Sequence, residues 1–307
     1  MKSDMSVKIG KLKLKNPVMA ASGTYGMEYA ELSGIDTFGA VVTKTITLKG
    51  RAGNPPPRVA ETASGMLNSI GLENKGLEDF IINKLPLYDR FKGAVIVSIS
   101  GDNESEFAKL ASALGSIRRV DALELNLSCP NLMRGAEKGT GIIAQDEKAV
   151  YKIVKAVRRA APITVIAKLS PNVTDMGNVA SSAEAGGADS ISLVNTFLGM
   201  AVDIDTKKPK LGNITGGLSG PAIKPIALRM VWEAYKAVDI PVIGMGGIMD
   251  WRDAVEFIIC GASAVQVGTA NFVDTAAAGG IVRGIENYLS KNKIGGIKRL
   301  AGTLRLG

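Results

Sequence analysis

The sequence predicts an α/β protein, a TIM-type (β/α)8 barrel with enlarged βα loops. Two observations favour this fold class: short apolar segments alternate with amphipathic segments along almost the whole chain, and the apolar segments number eight. Nearly continuous apolar strands are typical of a parallel sheet that helices cover on both faces. Eight strands are the number that closes such a barrel. A doubly wound open sheet is the alternative.

The predicted strands are short, apolar and rich in β-branched residues, which favour extended backbone. Each ends close to a polar residue or a glycine. They cover residues 18–22, 40–47, 94–100, 122–128, 163–170, 190–195, 241–246 and 264–269.

The segments between the strands carry apolar residues at helical spacing. In residues 104–114, for example, Phe107 and Leu110 fall on one face. Asp146 and Asp250 stand where a carboxylate can cap a helix by accepting backbone amides. We therefore predict helices over residues 104–114, after Asp146, over 174–185 and over 251–260.

Two polar, glycine-rich stretches, residues 50–76 and 198–221, interrupt this alternation. Each follows a predicted strand and precedes the helix expected after it, so neither is an interdomain linker. In a barrel they are enlarged βα loops at the catalytic face, where such insertions build sites. We predict one barrel domain spanning residues 1–307.

The composition excludes several classes of function. The 307 residues include no histidine, so Ser-His-Asp and Cys-His catalysis are excluded, and a general base must be Cys, Lys, Asp, Glu or Tyr. Cys129 and Cys260 are too few for a metal cluster, so we expect no metal. The N-terminus has no apolar run and no stretch is long enough to span a membrane. We expect a cytoplasmic protein with no membrane partner and with reduced thiols.

The formal net charge of +8 suits anionic ligands such as phosphates and carboxylates. A nucleic-acid partner is not expected, because lysines and arginines are scattered and aromatic residues make up only 5% of the chain. Most of these charges are interpreted as an ordinary solvated surface.

Polar residues collect at the predicted carboxyl ends of the strands, where a barrel carries its site. They are Ser22, Lys44, Ser98, Asn126, Cys129, Lys168, Asn195 and Thr196. Lysines within apolar strands are costly unless they meet an anion or a polar ligand. Lys44 and Lys168 therefore either contact a ligand or pair with a buried carboxylate, for which Glu124 is the plainest candidate.

Glycine-rich turns after the last two strands predict a phosphate site. Gly246 and Gly247 follow strand seven, and Gly268 with Thr269 ends strand eight. Loops at these positions bind phosphate in many TIM barrels, because glycine lets exposed backbone amides approach the ligand.

Four asparagines, Asn68, Asn126, Asn131 and Asn195, are predicted to surround one pocket. Each carboxamide offers both a donor and an acceptor. Such a set suits a flat ligand that carries ring N–H groups and carbonyls.

Cys129 stands where the fourth strand breaks, because Pro130 has no amide hydrogen to continue a ladder. A thiol at that end is either reactive or a small buried hydrophobe, and these residues alone leave both interpretations open. Cys260 matches no strand end, and we interpret it as packing.

Seven stretches, in order and across about the whole chain, resemble dihydroorotate dehydrogenase. They are Lys44-Thr45, 54–58, 64–74, 126–131, 168–172, 213–225 and 244–247. Cysteine at the base position resembles the soluble class, since the membrane-bound class has serine there. Residues 60–68 are similar to the NAD-linked (class 1B) branch, whose catalytic subunit works beside a separate iron–sulfur flavoprotein.

The resemblance implies a reaction and a set of roles. Dihydroorotate would be oxidised to orotate in pyrimidine biosynthesis. Cys129 would remove a proton from carbon five, and a hydride would pass from carbon six to FMN. Lys44 would contact substrate and flavin, and Lys168 would stabilise the anionic reduced flavin. Substrate would be bound by Lys44, Asn68, Ser69, Ile70, Gly71, Leu72, Asn126, Asn131, Asn195 and Thr196, and FMN by Ser22, Lys44, Thr45, Ser98, Asn126, Lys168, Val194, Gly220, Gly246, Gly247, Gly268 and Thr269.

The resemblance also implies an assembly. A homodimer of this chain would bind an iron–sulfur flavoprotein subunit that carries FAD, giving a heterotetramer. The chain itself has no Rossmann fingerprint and no iron–sulfur cysteine set, so an NAD oxidant requires another chain. Residues 132–141 would act as a lid.

Rival interpretations remain open from the sequence. A fumarate-dependent soluble dihydroorotate dehydrogenase would use the same site with another oxidant. A related flavin barrel could act on another dihydropyrimidine, and a phosphosugar-binding barrel without flavin would share only the phosphate loops. A non-catalytic binding subunit is disfavoured, because it would not need Cys129 and two strand lysines.

Overall fold

The computed structural model of the chain describes residues 3–27, 34–127 and 143–307. Its centre is a closed barrel of eight parallel strands, in which strands adjacent in the barrel follow one another in the chain. This confirms the predicted TIM-type barrel rather than the open sheet. The strands are β1 (Val18–Ala20), β2 (Ala40–Val42), β3 (Ala94–Ile99), β4 (Ala122–Asn126), β5 (Thr164–Lys168), β6 (Ser190–Leu193), β7 (Val242–Met245) and β8 (Ala262–Val267).

Most strands are shorter at their carboxyl ends than the sequence predicted. The prediction for β2 extended to Thr47, but the strand ends at Val42, and only Ile46 makes a further isolated bridge, to Ile99. Beyond the strand, backbone hydrogen bonds to β3 continue irregularly, from Thr43 to Ile96 at 2.9 Å and from Ile46 to Ser98 at 3.0 Å, and the Ser22 hydroxyl donates to the Thr43 carbonyl at 2.7 Å. Lys44 therefore follows β2 instead of lying within it.

Helices cover the outside of the barrel, and the prediction over 104–114 is confirmed at both ends. Short 3₁₀ segments cover Ile35–Thr37, Leu85–Arg90, Ile143–Gln145, Pro221–Ile223 and Ile297–Arg299, and a π segment covers Phe80–Lys84. The α-helices are α1 (Leu77–Asp79), α2 (Glu104–Leu114), α3 (Glu147–Ala160), α4 (Met176–Ala185), α5 (Lys224–Ala237), α6 (Trp251–Ile259), α7 (Ala270–Val273) and α8 (Ala277–Lys291).

The predicted apolar faces and caps are present. Phe107 and Leu110 of α2 are fully buried, and burial of such a side chain contributes about 1.5–3 kcal/mol. The Asp146 carboxylate accepts the amides of Lys148 and Ala149 at the start of α3. Asp250 caps α6 in the same way. These contacts fix the helices against the barrel wall.

The two enlarged loops, after β2 and β6, join in one antiparallel sheet that we name the roof sheet. Its strands, in spatial order, are Phe197–Met200, Thr215–Ser219, Gly65–Asn68 and Val59–Thr62. Two smaller antiparallel pairs lie in the same loops, Lys49–Arg51 with Asn74–Gly76 and Val202–Asp203 with Lys208–Pro209. The sequence located these loops correctly but did not predict their strands.

The opposite, amino-end face is covered by a hairpin of Val7–Ile9 and Leu12–Leu14. The Lys11 amide donates to the Thr164 hydroxyl at the first residue of β5, at 3.0 Å. In the part of the chain that the structure describes, no helix is both long and apolar enough to cross a membrane. The single domain over residues 1–307 stays a prediction.

Candidate active site

A cavity of about 630 Å³ opens at the carboxyl-end face of the barrel. Residues at or just beyond the ends of β1, β2, β4, β5, β6, β7 and β8 line it, and the roof sheet contributes Met66, Asn68 and Ser219. Most of the predicted site residues meet here. The predicted residues in its wall are Ser22, Lys44, Thr45, Asn68, Ile70, Gly71, Leu72, Asn126, Lys168, Val194, Asn195, Thr196, Gly220, Gly246, Gly247, Gly268 and Thr269.

Four predicted site residues are not found in this wall. Ser69 and Ser98 are fully buried behind it. The Ser69 hydroxyl accepts a hydrogen bond from the Asn54 side chain at 3.2 Å. The ligand contacts of both serines stay predictions. Cys129 and Asn131 lie outside the described residues.

The two predicted lysines differ in their surroundings. Lys168, at the end of β5, is 6% exposed, and its Nζ lies 3.7 Å from Oε1 of Glu124. It therefore lines the cavity and also has the buried carboxylate partner that the sequence offered as the alternative. Lys44 is exposed. The argument that its burial would be costly is wrong, because the strand ends before it.

A hydroxyl network centred on Thr45 braces one wall. Its Oγ1 lies 2.8 Å from the Ser98 hydroxyl and 3.2 Å from the Ser22 hydroxyl, and it accepts the Asn126 amide at 3.2 Å. Ser98 contacts Thr45 from behind the cavity wall, and its predicted contact with the cofactor stays a prediction. The network fixes the direction in which the Asn126 carboxamide faces the cavity.

Backbone groups hold the other two side-chain carboxamides of the cavity, those of Asn68 and Asn195. The Asn68 side chain donates to the Gly217 carbonyl at 3.5 Å, across the roof sheet. The Asn195 Oδ1 accepts the Thr196 amide at 2.8 Å. Carboxamides from a roof strand and from two barrel strands thus converge on one space, as the sequence predicted.

The glycine turn after β7 has the geometry of an anion cradle. Gly246 and Gly247 have φ values of +124° and +76°, which side chains rarely adopt. A Cβ at Gly247 would lie 2.8 Å from Lys224 Cβ and 2.9 Å from the Gly220 carbonyl oxygen. Both glycines line the cavity, so their backbone can approach an anion there, as phosphate binding by amides requires.

A charged brace holds this turn. The Asp253 carboxylate accepts the amides of Met249 and Asp250 at 2.8 and 3.1 Å, and Lys224 Nζ lies 2.7 Å from it and 3.1 Å from Glu256. Burial alone would raise the pKa of Asp253, but the hydrogen bonds from Lys224 and these amides hold that pKa below its usual range. The hydrogen bond to Asp253 raises the pKa of Lys224. Both groups are therefore charged at neutral pH.

Some residues of the cavity were missed. Gln266 is a polar residue inside the apolar strand β8, the same signal that pointed to Lys168, and it lines the cavity floor. Ser219 accepts the Thr269 hydroxyl at 2.8 Å and joins the loop after β6 to that after β8. Phe272, on α7, stands at the rim with 55% of its surface exposed. No periodicity in the sequence pointed to Phe272.

Cys260, interpreted as packing, ends α6 and does not line the cavity. Burial, and then the charge of Glu256, raise the pKa of its thiol. The thiol therefore stays protonated at neutral pH, as expected for a cysteine without a chemical role.

Comparison with known proteins gives one consistent result. Residues 4–289 match the family described as Dihydroorotate dehydrogenase. Proteins named "Dihydroorotate dehydrogenase B (NAD(+)), catalytic subunit" are similar over nearly their full length. The one from Bacteroides fragilis is 49% identical, covering 99% of this chain and 100% of the relative. Those from Geobacter sulfurreducens and Caldicellulosiruptor bescii are 51% and 50% identical, covering 99% of this chain and 99% and 100% of the relatives.

Proposed function

Because the chain belongs to the dihydroorotate dehydrogenase family, we propose that it oxidises dihydroorotate to orotate in pyrimidine biosynthesis, with FMN as its cofactor. The observation that supports this most strongly is the convergence of Lys44, Lys168 and three carboxamides on one cavity beside a glycine cradle. A cavity of about 630 Å³ lies within the range of small-molecule and cofactor sites.

The residues of the cavity fit FMN. The glycine turn at Gly246 and Gly247 lines the cavity at positive φ and has no room for a Cβ, so its open backbone suits the phosphate, and Thr269 adds a hydroxyl in the same cavity. When bound, FMN supplies the acceptor for two electrons. We assign the cofactor to the walls formed by the ends of β1, β2, β5, β7 and β8, with Ser22, Thr45, Val194, Gly220 and Gly268 as further contacts.

The carboxamide side of the cavity suits the substrate. Orotate is a flat ring, dihydroorotate is the same ring with two saturated carbons, and both carry N–H groups and carbonyls. Each carboxamide of Asn68, Asn126 and Asn195 can donate to a ring carbonyl and accept from a ring N–H group. We propose that these three residues bind the ring, together with Thr196, Asn131, Lys44 and the turn of residues 70–72. Rigid placement of the ring contributes to the rate by reducing the entropy lost at the reaction step.

Cys129 is proposed as the general base, with its Sγ taking the proton from carbon five of the substrate. The chain contains no histidine, so a thiolate, an amine or a carboxylate must accept that proton. Among the described residues, no carboxylate lines the cavity, and Glu124, on the strand that leads to it, is fully buried and held by other side chains. Lys168 is assigned the separate role of stabilising the reduced flavin.

We further propose a partner subunit. The relatives are named NAD(+)-linked catalytic subunits, which supports an assembly in which another chain carries electrons to NAD. That chain would hold FAD and an iron–sulfur cluster, and a homodimer of the present chain with two such subunits would form a cytoplasmic heterotetramer.

The test is purification of the untagged chain, with and without its co-purifying proteins. The isolated chain should be yellow, contain about one FMN, and have its flavin reduced by dihydroorotate under anaerobic conditions. It should turn over with an artificial acceptor but hardly with NAD. A colourless protein would contradict the proposal that the chain binds FMN. Rapid NAD reduction by the chain alone would contradict the proposed partner subunit. Rapid turnover with fumarate would identify fumarate, rather than NAD, as the oxidant.

A further inference from the structure

A buried carboxylate lies beneath the cavity, on the strand that leads to it. Glu124, in the middle of β4, is 0% exposed and is surrounded by Lys168 of β5, Ser192 of β6 and Gln266 of β8. Burying a charge is costly unless hydrogen bonds and an opposite charge compensate it. The four side chains form a layer across the barrel interior that reaches the cavity through Lys168 and Gln266.

The two oxygens of Glu124 are held differently. Oε2 accepts hydrogen bonds from Gln266 Nε2 at 2.6 Å and from the Ser192 hydroxyl at 3.0 Å. Oε1 is buried and makes no hydrogen bond within the described part of the chain. Its neighbour is the Lys168 ammonium at 3.7 Å, a distance at which charges attract but no hydrogen bond forms.

A buried ion pair of this kind is a poor way to stabilise the fold. Breaking up a buried ion pair is costly, but replacing the whole pair by apolar residues is often neutral or stabilising. The Lys168 ammonium also remains available to the cavity, because it is not bonded directly to Glu124. The geometry suits a different role, in which the negative charge of Glu124 offsets part of the positive charge that Lys168 presents to the cavity.

We infer that Glu124 is a positioning residue for the redox step, which holds the Lys168 ammonium at the cavity floor and offsets part of its charge. It thereby sets how strongly the site prefers reduced, anionic flavin over oxidised flavin. The inference rests on the proposed function, because it needs flavin in the cavity. Glu124 itself touches neither substrate nor cofactor in this arrangement.

The sign of the effect follows from charge. Glu124→Gln keeps the shape but removes the negative charge, so Lys168 becomes less compensated and the anionic reduced flavin is favoured. The ratio of dissociation constants for oxidised and reduced FMN should rise at least about tenfold, which corresponds to a midpoint potential about 30 mV more positive for a two-electron couple. Lys168→Gln should move the same ratio in the opposite direction.

The measurement is anaerobic dye equilibration of the FMN-loaded chain, with FMN titrations of the oxidised and reduced forms. Ser192→Ala is the matched control, because it removes a hydrogen bond to the same carboxylate without changing any charge. It should leave the ratio within about threefold of the parent. Opposite shifts in the Glu124 and Lys168 variants distinguish an electrostatic role from general damage, which would move both in one direction.

Other results would overturn the inference. If Glu124→Gln leaves the potential unchanged or makes it more negative, or if Ser192→Ala shifts it equally, Glu124 is only structural, and the proposed function stands on flavin binding. A parent chain that binds no FMN overturns both. If Glu124→Gln does not fold, Glu124→Asp moves the charge away from Lys168 and should give a smaller positive shift; an unchanged potential in that variant contradicts the inference.

Discussion

The two ends of the barrel are built for different purposes. At the amino end, the hairpin of Val7–Ile9 and Leu12–Leu14 covers the strands, and its Val7, Ile9 and Leu14 side chains are buried. At the carboxyl end, polar side chains and open backbone surround a cavity, and a carboxylate oxygen beneath it has no hydrogen bond within the described residues. The difference indicates that the amino-end face mainly stabilises the fold. The carboxyl-end face carries groups for binding and chemistry at some cost in stability.

The largest expected effect is at the carboxyl end and concerns Cys129. Cys129→Ala should slow flavin reduction by dihydroorotate about 10²–10⁴-fold, the usual contribution of a general base, while FMN and orotate still bind. The measurement is anaerobic stopped flow. Cys260→Ala is the matched control and should react at nearly the parent rate, because that thiol lies away from the cavity.

A Cys129→Ser variant sharpens this prediction. A hydroxyl is far harder to ionise than a thiol, so some rate should remain with a pH optimum above that of the parent. If Cys129→Ala reduces its flavin as fast as the parent, the base lies elsewhere and the proposed mechanism is wrong.

The next effect also belongs to the carboxyl end. Gly247→Leu should remove FMN, because its Cβ alone would lie 2.8–2.9 Å from Lys224 and the Gly220 carbonyl. The measurement is flavin content by absorbance after purification. Gly280→Ala, in α8, is the control, since its Cβ would meet nothing within 4 Å. It should keep full flavin and gain about 0.5–1 kcal/mol in stability. An equal flavin content in the Gly247 and Gly280 variants would contradict phosphate binding at the glycine turn.

A substitution at the amino end should lower stability and leave flavin binding and turnover unchanged. Leu14 is 1% exposed in the hairpin, so Leu14→Ala should lower the free energy of unfolding by about 2–5 kcal/mol. Turnover and FMN affinity of the folded fraction should stay at parent values. The measurements are urea denaturation and steady-state kinetics, with the exposed Lys8→Ala as the control. A selective loss of turnover at unchanged stability would break the comparison between the two ends.

The smallest effect concerns Asp253, which braces the glycine turn. Asp253→Asn should cost about 1 kcal/mol at neutral pH, as for other lost caps. Because the pKa of Asp253 is held below its usual range, its contribution to stability is present above about pH 4 and disappears as the pH falls through the lowered value. The stability difference between parent and variant should therefore vanish in acid, as followed by thermal melts from pH 7 to pH 2. A difference that persists in acid would show that packing, not charge, causes it.

Much of the fold could be predicted because apolar periodicity and caps are local signals. The eight strands and the bounds of α2 required only neighbours in the sequence. The cavity was predicted from polar residues at strand ends, and Glu124 was correctly named as a possible partner of Lys168. These features depend on residue type and position along a strand, which the sequence shows directly.

Other features could not be predicted, for physical reasons. Every residue of β4 and β5, and all but the first of β3, is buried. Polar alternation therefore does not reveal which face of a strand a side chain occupies, and the burial of Ser98 behind the cavity wall was not predicted. The roof sheet was missed because its strands are glycine-rich and short. Its central pairing also joins segments far apart in the sequence, so no local pattern reports that the two loops meet.

The roof sheet has a consequence for how the protein folds. Its central pairing joins Asn68 to Gly217, 149 residues apart. Contacts of such sequence separation require a large loss of chain entropy before they return any stabilisation. The intervening strands β3 to β6 bring the two loops together, so the roof should form after much of the barrel has. Backbone amides of residues 65–68 should therefore acquire protection late in refolding, later than those of α2, and the ability to bind substrate should arrive with them.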